Sequence, residues 1–277
     1  MPVKRGKNFR SGDLAEQLGI YMIQSLALVA PIPRTEDVGI DVVATLLRDD
    51  NKYSYVAEDS FYIQIKSSTV NKVEYEEEGV KWLYDLKLPF FIATVDREIS
   101  MIKLYSTKRI FDAFAINKDR RKINIILEEE EKVKIYDFVD SNIEDIYTGA
   151  PIIEWSVNEL MTDEKEVRER FYIILKEHIR IIQESMELHE IGLGSTYLWE
   201  TNKLPSFFSW KGSTNANIDF EVIADRMMNY LNKVLDISTV VGTRIVFDEV
   251  KSTLEFYESI YENYESVRQQ SDKLNRD

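Results

Sequence analysis

Three polar side chains stand inside apolar runs, and their types and spacing suit one kind of chemistry. In Phe61-Tyr62-Ile63-Gln64-Ile65-Lys66-Ser67-Ser68, the two-residue alternation of a strand puts Gln64 and Lys66 on one face and Ile63 and Ile65 on the other. A lysine in so apolar a setting is costly to bury unless an anion meets it. Asp41, in Gly39-Ile40-Asp41-Val42-Val43-Ala44, is an anion in a similar setting. A carboxylate on one strand, an amide on the next and a lysine two residues on is what metal-assisted hydrolysis of a phosphodiester requires. Asp41 can hold Mg²⁺, with Mn²⁺ as a substitute, because such hard cations prefer oxygen. The bound metal polarises the phosphate and acidifies a water. Lys66 can orient or deprotonate that water, or offset charge building on the phosphate. Gln64 would position the metal or the water. The backbone carbonyl of Ile65 can add a ligand, and Glu16, in the first predicted helix, is a further acid.

Composition narrows the choice mainly by exclusion. With no cysteine there is no disulfide or thiolate metal site, which fits a reducing, cytoplasmic setting. Only two histidines occur, His178 and His189, which removes most zinc hydrolases and the histidine-dependent triads. No run of 18 apolar residues is present, so no membrane span is expected. The net charge of −14 disfavours general polyanion binding. That excess is uneven. The first 70 residues hold 8 basic and 9 acidic side chains, so a nucleic-acid contact would draw on Lys4, Arg5, Lys7 and Arg10.

The elements that must carry these residues follow from hydrophobic period and turn residues. Residues 12–29 read as a helix capped by Ser11 and ended by Pro31 and Pro33. Residues 38–47 read as a buried strand, 53–57 as an edge strand, and 61–67 as the strand of Lys66. A short helix through Val80, Leu83 and Tyr84 stops before Pro89. Strands over 90–95 and 100–105 flank a turn at Asp96-Arg97-Glu98, and Thr107 is placed to cap a helix over 108–116. Further strands are expected at 123–127 and 133–136. Past Pro151 the pattern turns helical, with helices over 163–190, 218–236 and 246–274 around an aromatic loop, Tyr197 to Trp210.

Taken together, Gly12-Asp13-Leu14-Ala15-Glu16, Asp37-Val38-Gly39-Ile40-Asp41 and Gln64-Ile65-Lys66-Ser67, followed by Trp82 shortly before Pro89, resemble the PD-(D/E)XK phosphodiesterase superfamily. The likeness is to its Mrr-like variant, with Gln-x-Lys in place of Glu-x-Lys, and to a branch of unknown function associated with prokaryotic defence. It covers about residues 10–140. The resemblance implies an α/β fold with a restriction-endonuclease-like mixed sheet flanked by helices over 1–150, and it leaves 151–277 as an all-helical domain for oligomerisation or a protein partner. It implies a Mg²⁺-dependent nuclease acting on DNA in antiviral or anti-plasmid defence, with Asp41, Gln64, Lys66 and Glu16 catalytic. Asp41, Gln64, Ile65 and Glu16 would be the metal ligands.

Plainer readings stand beside these. Lys66 could be a strand-end lysine reaching solvent, Asp41 a turn residue, and Glu16 an ordinary surface glutamate. His178, on the apolar side of its helix, reads as packing. A non-catalytic binding or assembly protein on the same fold, or an RNA-directed nuclease, are the rival functions.

Overall fold

Continuous apolar strands form the centre of the molecule, because a strand that is apolar on both faces needs cover on both. The computed structural model describes residues 7–33, 39–51, 53–128, 143–212 and 251. The chain divides into two units, residues 1–216 and 217–277. In the first, a helix over Lys7–Gln24 (α1) leads into the strand Ala27–Pro31 (β1) and the hairpin Val42–Asn51 (β2) and Ser54–Ser67 (β3). Lys72–Glu76 (β4), the helix Glu78–Tyr84 (α2), Phe90–Asp96 (β5), Met101–Ser106 (β6) and the helix Lys108–Ile116 (α3) follow. Then come Lys122–Ile126 (β7), Asp145–Tyr147 (β8), Ile153–Ser156 (β9), the helix Val157–Leu188 (α4), Leu193–Leu198 (β10) and Ser206–Gly212 (β11). The class is α/β.

A six-stranded mixed sheet runs in the order β1-β2-β3-β5-β6-β9. Only β3 and β5 are parallel within it, and α2 lies on the crossover between them, as parallel strands require. Register sorts the side chains into two faces. One carries Phe61, Ile63 and Ile65 beside Phe91, Ala93 and Val95, then Ile102 and Leu104, then Trp155 and Ile153. All of these are buried. This face is covered by α1, whose Gly19 lies so close that a Cβ would stand 2.9 Å from Ile65 and 3.0 Å from Val95. It is also covered by α4, where Phe171 meets Trp155 edge-on at 5.4 Å. The opposite face carries Tyr62, Gln64 and Lys66 beside Phe90, Ile92 and Thr94. There Trp82 of α2 packs edge-on to Phe90 at 5.6 Å. A three-stranded sheet, β4-β7-β8, and the hairpin β10-β11 complete the strands described. Among the described residues, no helix is long and apolar enough to cross a membrane.

Several expectations are corrected by tertiary pairing. The helix expected over 12–29 ends at Gln24, and residues 27–31 pair with 42–46 as β1. Val29 fits both periods, so the open edge of β2 decides, where it pairs with Ala44. The strands expected at 53–57 and 61–67 are one strand, β3, held along most of its length by β2. The division at residue 150 does not mark the end of the α/β core. β9 pairs with β6 as the sixth strand, and α4 and the β10-β11 hairpin follow within the first unit. Residues 151–212 are therefore not all-helical, and the aromatic stretch 197–210 takes in the end of β10 and most of β11. Within it Tyr197 and Trp199 are buried, whereas Phe207 and Phe208 are exposed.

The start expected at 163 for the long helix corresponds to a break inside α4. Ser156 and Glu159 form a capping box at the first turn, and Asp163, at φ −149°, accepts from the amide of Glu166 to restart the helix. The strand expected at 133–136 and the helices at 218–236 and 246–274 lie outside the described residues, apart from helical Lys251.

A buried lysine ties the hairpin to the core. Lys108, 1% exposed, donates to both carboxylate oxygens of Asp112 (2.7 and 2.6 Å) and to the carbonyl of Ser195 on β10. Gly194 lies close beside it: a Cβ there would stand 2.8 Å from Asp112 Oδ1 and would have to displace that carboxylate.

Candidate active site

The turn Gly39-Ile40-Asp41 enters β2 with Gly39 at φ +85°, a backbone state that favours glycine. Buried Ile40 anchors it. Asp41 is then clamped from both sides: its amide donates to Ile63 O at 3.0 Å, and its carbonyl accepts from Ile32 N at 2.8 Å. Its carboxylate turns along the neighbouring strand, where Oδ2 accepts from the Ile65 amide at 2.5 Å. The acid found in one apolar run is thus docked on the backbone of the other, between Gln64 and Lys66.

Pairing of Val42 with Ile63 sets Asp41 opposite Gln64. Gln64 is 7% exposed, and its Oε1 accepts a hydrogen bond from the Tyr75 hydroxyl at 3.0 Å. Lys66, two residues on, shares its face. It is half-buried, and among the described residues its ammonium makes no ion pair or hydrogen bond. On the next strand buried Thr94 lies beside it, and Lys103 of β6 pairs with Thr94 in turn.

Asp41, Gln64, Ile65 and Lys66 are therefore brought together. Glu16 starts from a different layer. It is half-buried on α1, one turn before Gly19, and α1 covers the Ile65 face of the sheet rather than the Lys66 face. Neither histidine belongs to this group. His178 is fully buried on α4 with its ring edge-on to Trp199 at 5.4 Å, and burial pushes its pKa down to about 3, so the ring is neutral. His189 is buried among Tyr84, Phe111 and Phe114.

The donors suit a divalent cation in kind. Mg²⁺ takes one or two carboxylates, keeps several waters and relies on substrate phosphate for the rest. Asp41 supplies one carboxylate beside the Ile65 backbone. Among the described residues no three His, Cys, Asp or Glu side chains gather as a metal group. A cation here would accordingly sit in an open site completed by water and substrate.

Tyr75 is the contact that sequence reasoning missed. It stacks on Trp82 at 6.0 Å with 17° between the rings, so the tryptophan packs against another core aromatic. The signal was present in Lys72-Val73-Glu74-Tyr75-Glu76, whose alternation is that of a strand with Val73 and Tyr75 buried.

The chain was compared with protein-family models, curated proteins and solved structures; none is significantly similar to it.

Proposed function

We propose that this protein is a Mg²⁺-dependent nuclease that hydrolyses phosphodiester bonds of DNA, on a restriction-endonuclease-like fold of the PD-(D/E)XK kind, and that it serves defence against foreign DNA. The observation that carries the reading is the docking of Asp41 on the Ile65 amide, beside a half-buried Lys66 without a partner among the described residues. A carboxylate serving only as a turn residue does not call for an unpaired lysine on the adjoining strand. Holding a half-buried ammonium unpaired is unfavourable in the absence of an anion, and a phosphodiester supplies one.

In this reading Asp41 would hold the cation together with the Ile65 carbonyl, and Glu16, starting from the layer of α1, would assist through water. A cation held there would polarise the phosphate and lower the pKa of a water. Lys66 sets its ammonium beside the phosphate, where it orients the attacking water and offsets developing negative charge. Gln64 lines the same face in place of a second carboxylate, so the site carries less negative charge than one with two acids.

Purified protein incubated with plasmid DNA and Mg²⁺, beside Lys66→Ala and Asp41→Asn, tests this. Cleavage by the wild type and its loss in both variants is the expected result. Equal activity in all three refutes the assignment. A second reading, a non-catalytic binding or assembly protein, draws on the single carboxylate docked at 64–66 and on the net charge of −14. Calorimetric titration with Mn²⁺ separates the two, because only the nuclease reading requires cation binding that depends on Asp41. Parallel assays on RNA decide the substrate.

A further inference from the structure

An amide has two unlike ends, an oxygen that can ligate a cation and an NH₂ group that can only donate. Which end serves the site depends on what holds the other. In Gln64 one lone pair of the oxygen accepts from the Tyr75 hydroxyl at 3.0 Å, which turns that oxygen toward β4, and both side chains are less than a tenth exposed. Tyr75 is itself held in place. Its ring stacks on Trp82, which packs edge-on to Phe90, and its backbone pairs with Ile123 across the β4–β7 ladder. The NH₂ end lies toward the turn that carries Asp41: a Cβ on Gly39 would stand 3.9 Å from Gln64 Nε2 and 3.9 Å from the Trp82 ring.

We propose that Tyr75 is the positioning residue for Gln64, holding the amide so that its NH₂ end faces the ground beside Asp41. Gln64 then donates a hydrogen bond to a phosphate oxygen of the substrate and is not a ligand of the cation. This rests on the nuclease reading and sharpens it: the protein's side-chain hold on the cation comes from carboxylate, and Gln64 and Lys66, on one strand face, both address the phosphodiester. A tyrosine donor would suit a carboxylate at position 64 just as well. With an amide there, however, it selects which end faces the anion.

The test uses the full chain and separates cation binding from phosphate binding. Mn²⁺ affinity is measured by calorimetry without nucleic acid. Affinity for a fluorescein-labelled DNA duplex is measured by anisotropy in Ca²⁺, for wild type, Tyr75→Phe, Gln64→Met and Asp41→Asn. Tyr75→Phe and Gln64→Met are expected to keep Mn²⁺ affinity within about twofold and to lose about 10-fold to 100-fold in DNA affinity, the value of a hydrogen bond to a charged group. A tyrosine with a purely structural role would lower the melting temperature without this split.

A loss of about tenfold or more in Mn²⁺ affinity in Gln64→Met, the scale seen when a ligand or its support is removed, overturns the proposal. Unchanged DNA affinity in both variants does the same. Asp41→Asn reports on the underlying reading, which fails if Mn²⁺ binding survives that change. Wild-type protein that binds neither Mn²⁺ nor DNA overturns that reading and the phosphate role of Gln64 with it. The side-chain amide signals of Gln64 in ¹⁵N-labelled protein then judge the Tyr75 contact alone, and identical signals in wild type and Tyr75→Phe would refute it.

Discussion

Asp41 has a structural duty as well as the chemical one proposed for it, and the two can be separated. Its Oδ2 accepts the Ile65 amide at 2.5 Å, and Ile65 is 5% exposed. Asp41→Ala leaves that part-buried amide without its side-chain acceptor. A hydrogen bond to a charged group contributes about 1.5–3 kcal/mol. For a chain of this size each kcal/mol corresponds to roughly 2–4 °C, so the alanine variant should melt about 3–12 °C below wild type. Asp41→Asn retains an oxygen that can accept the amide, lowering the loss to about 1.5 kcal/mol or less. Both variants remove the carboxylate, so both should abolish Asp41-dependent Mn²⁺ binding. Differential scanning calorimetry paired with Mn²⁺ titration reads both effects on the same samples. If Asp41→Ala melts with wild type, the carboxylate does not hold the Ile65 amide, and the argument joining the two strands into one site fails. If Asp41→Asn is as destabilised as alanine, charge rather than the hydrogen bond is the stabilising element.

Other residues make independent predictions. Lys66→Ala breaks no hydrogen bond or ion pair among the described residues, so its stability should stay within about 0.5 kcal/mol of wild type, while cleavage falls about 10²-fold or more; a marked drop in denaturant midpoint would show that Lys66 is structural. Lys108→Met removes both Lys108 hydrogen bonds from the mostly buried Asp112 carboxylate and should cost about 3–5 kcal/mol in urea unfolding, most of it recovered by adding Asp112→Leu. Burial holds His178 at about 3, well below its ordinary 6.5. The unfolded chain therefore takes up a proton below pH 6.5 that the folded chain refuses until about pH 3, and stability falls across that window. His178→Leu should remove about 2 kcal/mol of the loss between pH 7 and pH 5, and urea midpoints with equal pH dependence in both proteins would refute this. Hydrogen bonds from Lys176 and Arg48 hold the Glu58 carboxyl at about 2. Its stabilisation is present above its ordinary 4.5 and is lost as pH falls toward 2, so Glu58→Gln should flatten the melting temperature against pH in that range.

What the amino-acid sequence determined by itself is local. The buried strands at 90–96 and 101–106, the helix 108–116 and the turn between the two strands follow from period and turn residues, because each is long or punctuated enough for neighbouring residues to decide it. The polar residues Asp41, Gln64 and Lys66 were conspicuous for the same reason, standing in apolar runs where a polar group is costly. Pairing decided the rest. Val29 fits a helix or a strand, and only the exposed edge of β2 settles which. Residues 153–156 are too short to announce a strand, and they become one because β6 offers a ladder to complete. The contact between Asp41 and the Ile65 amide spans 24 positions, and the one between Tyr75 and Gln64 joins two sheets. A hydrogen bond of that kind depends on register and on which face a side chain takes, and neither is encoded within any one stretch of the chain.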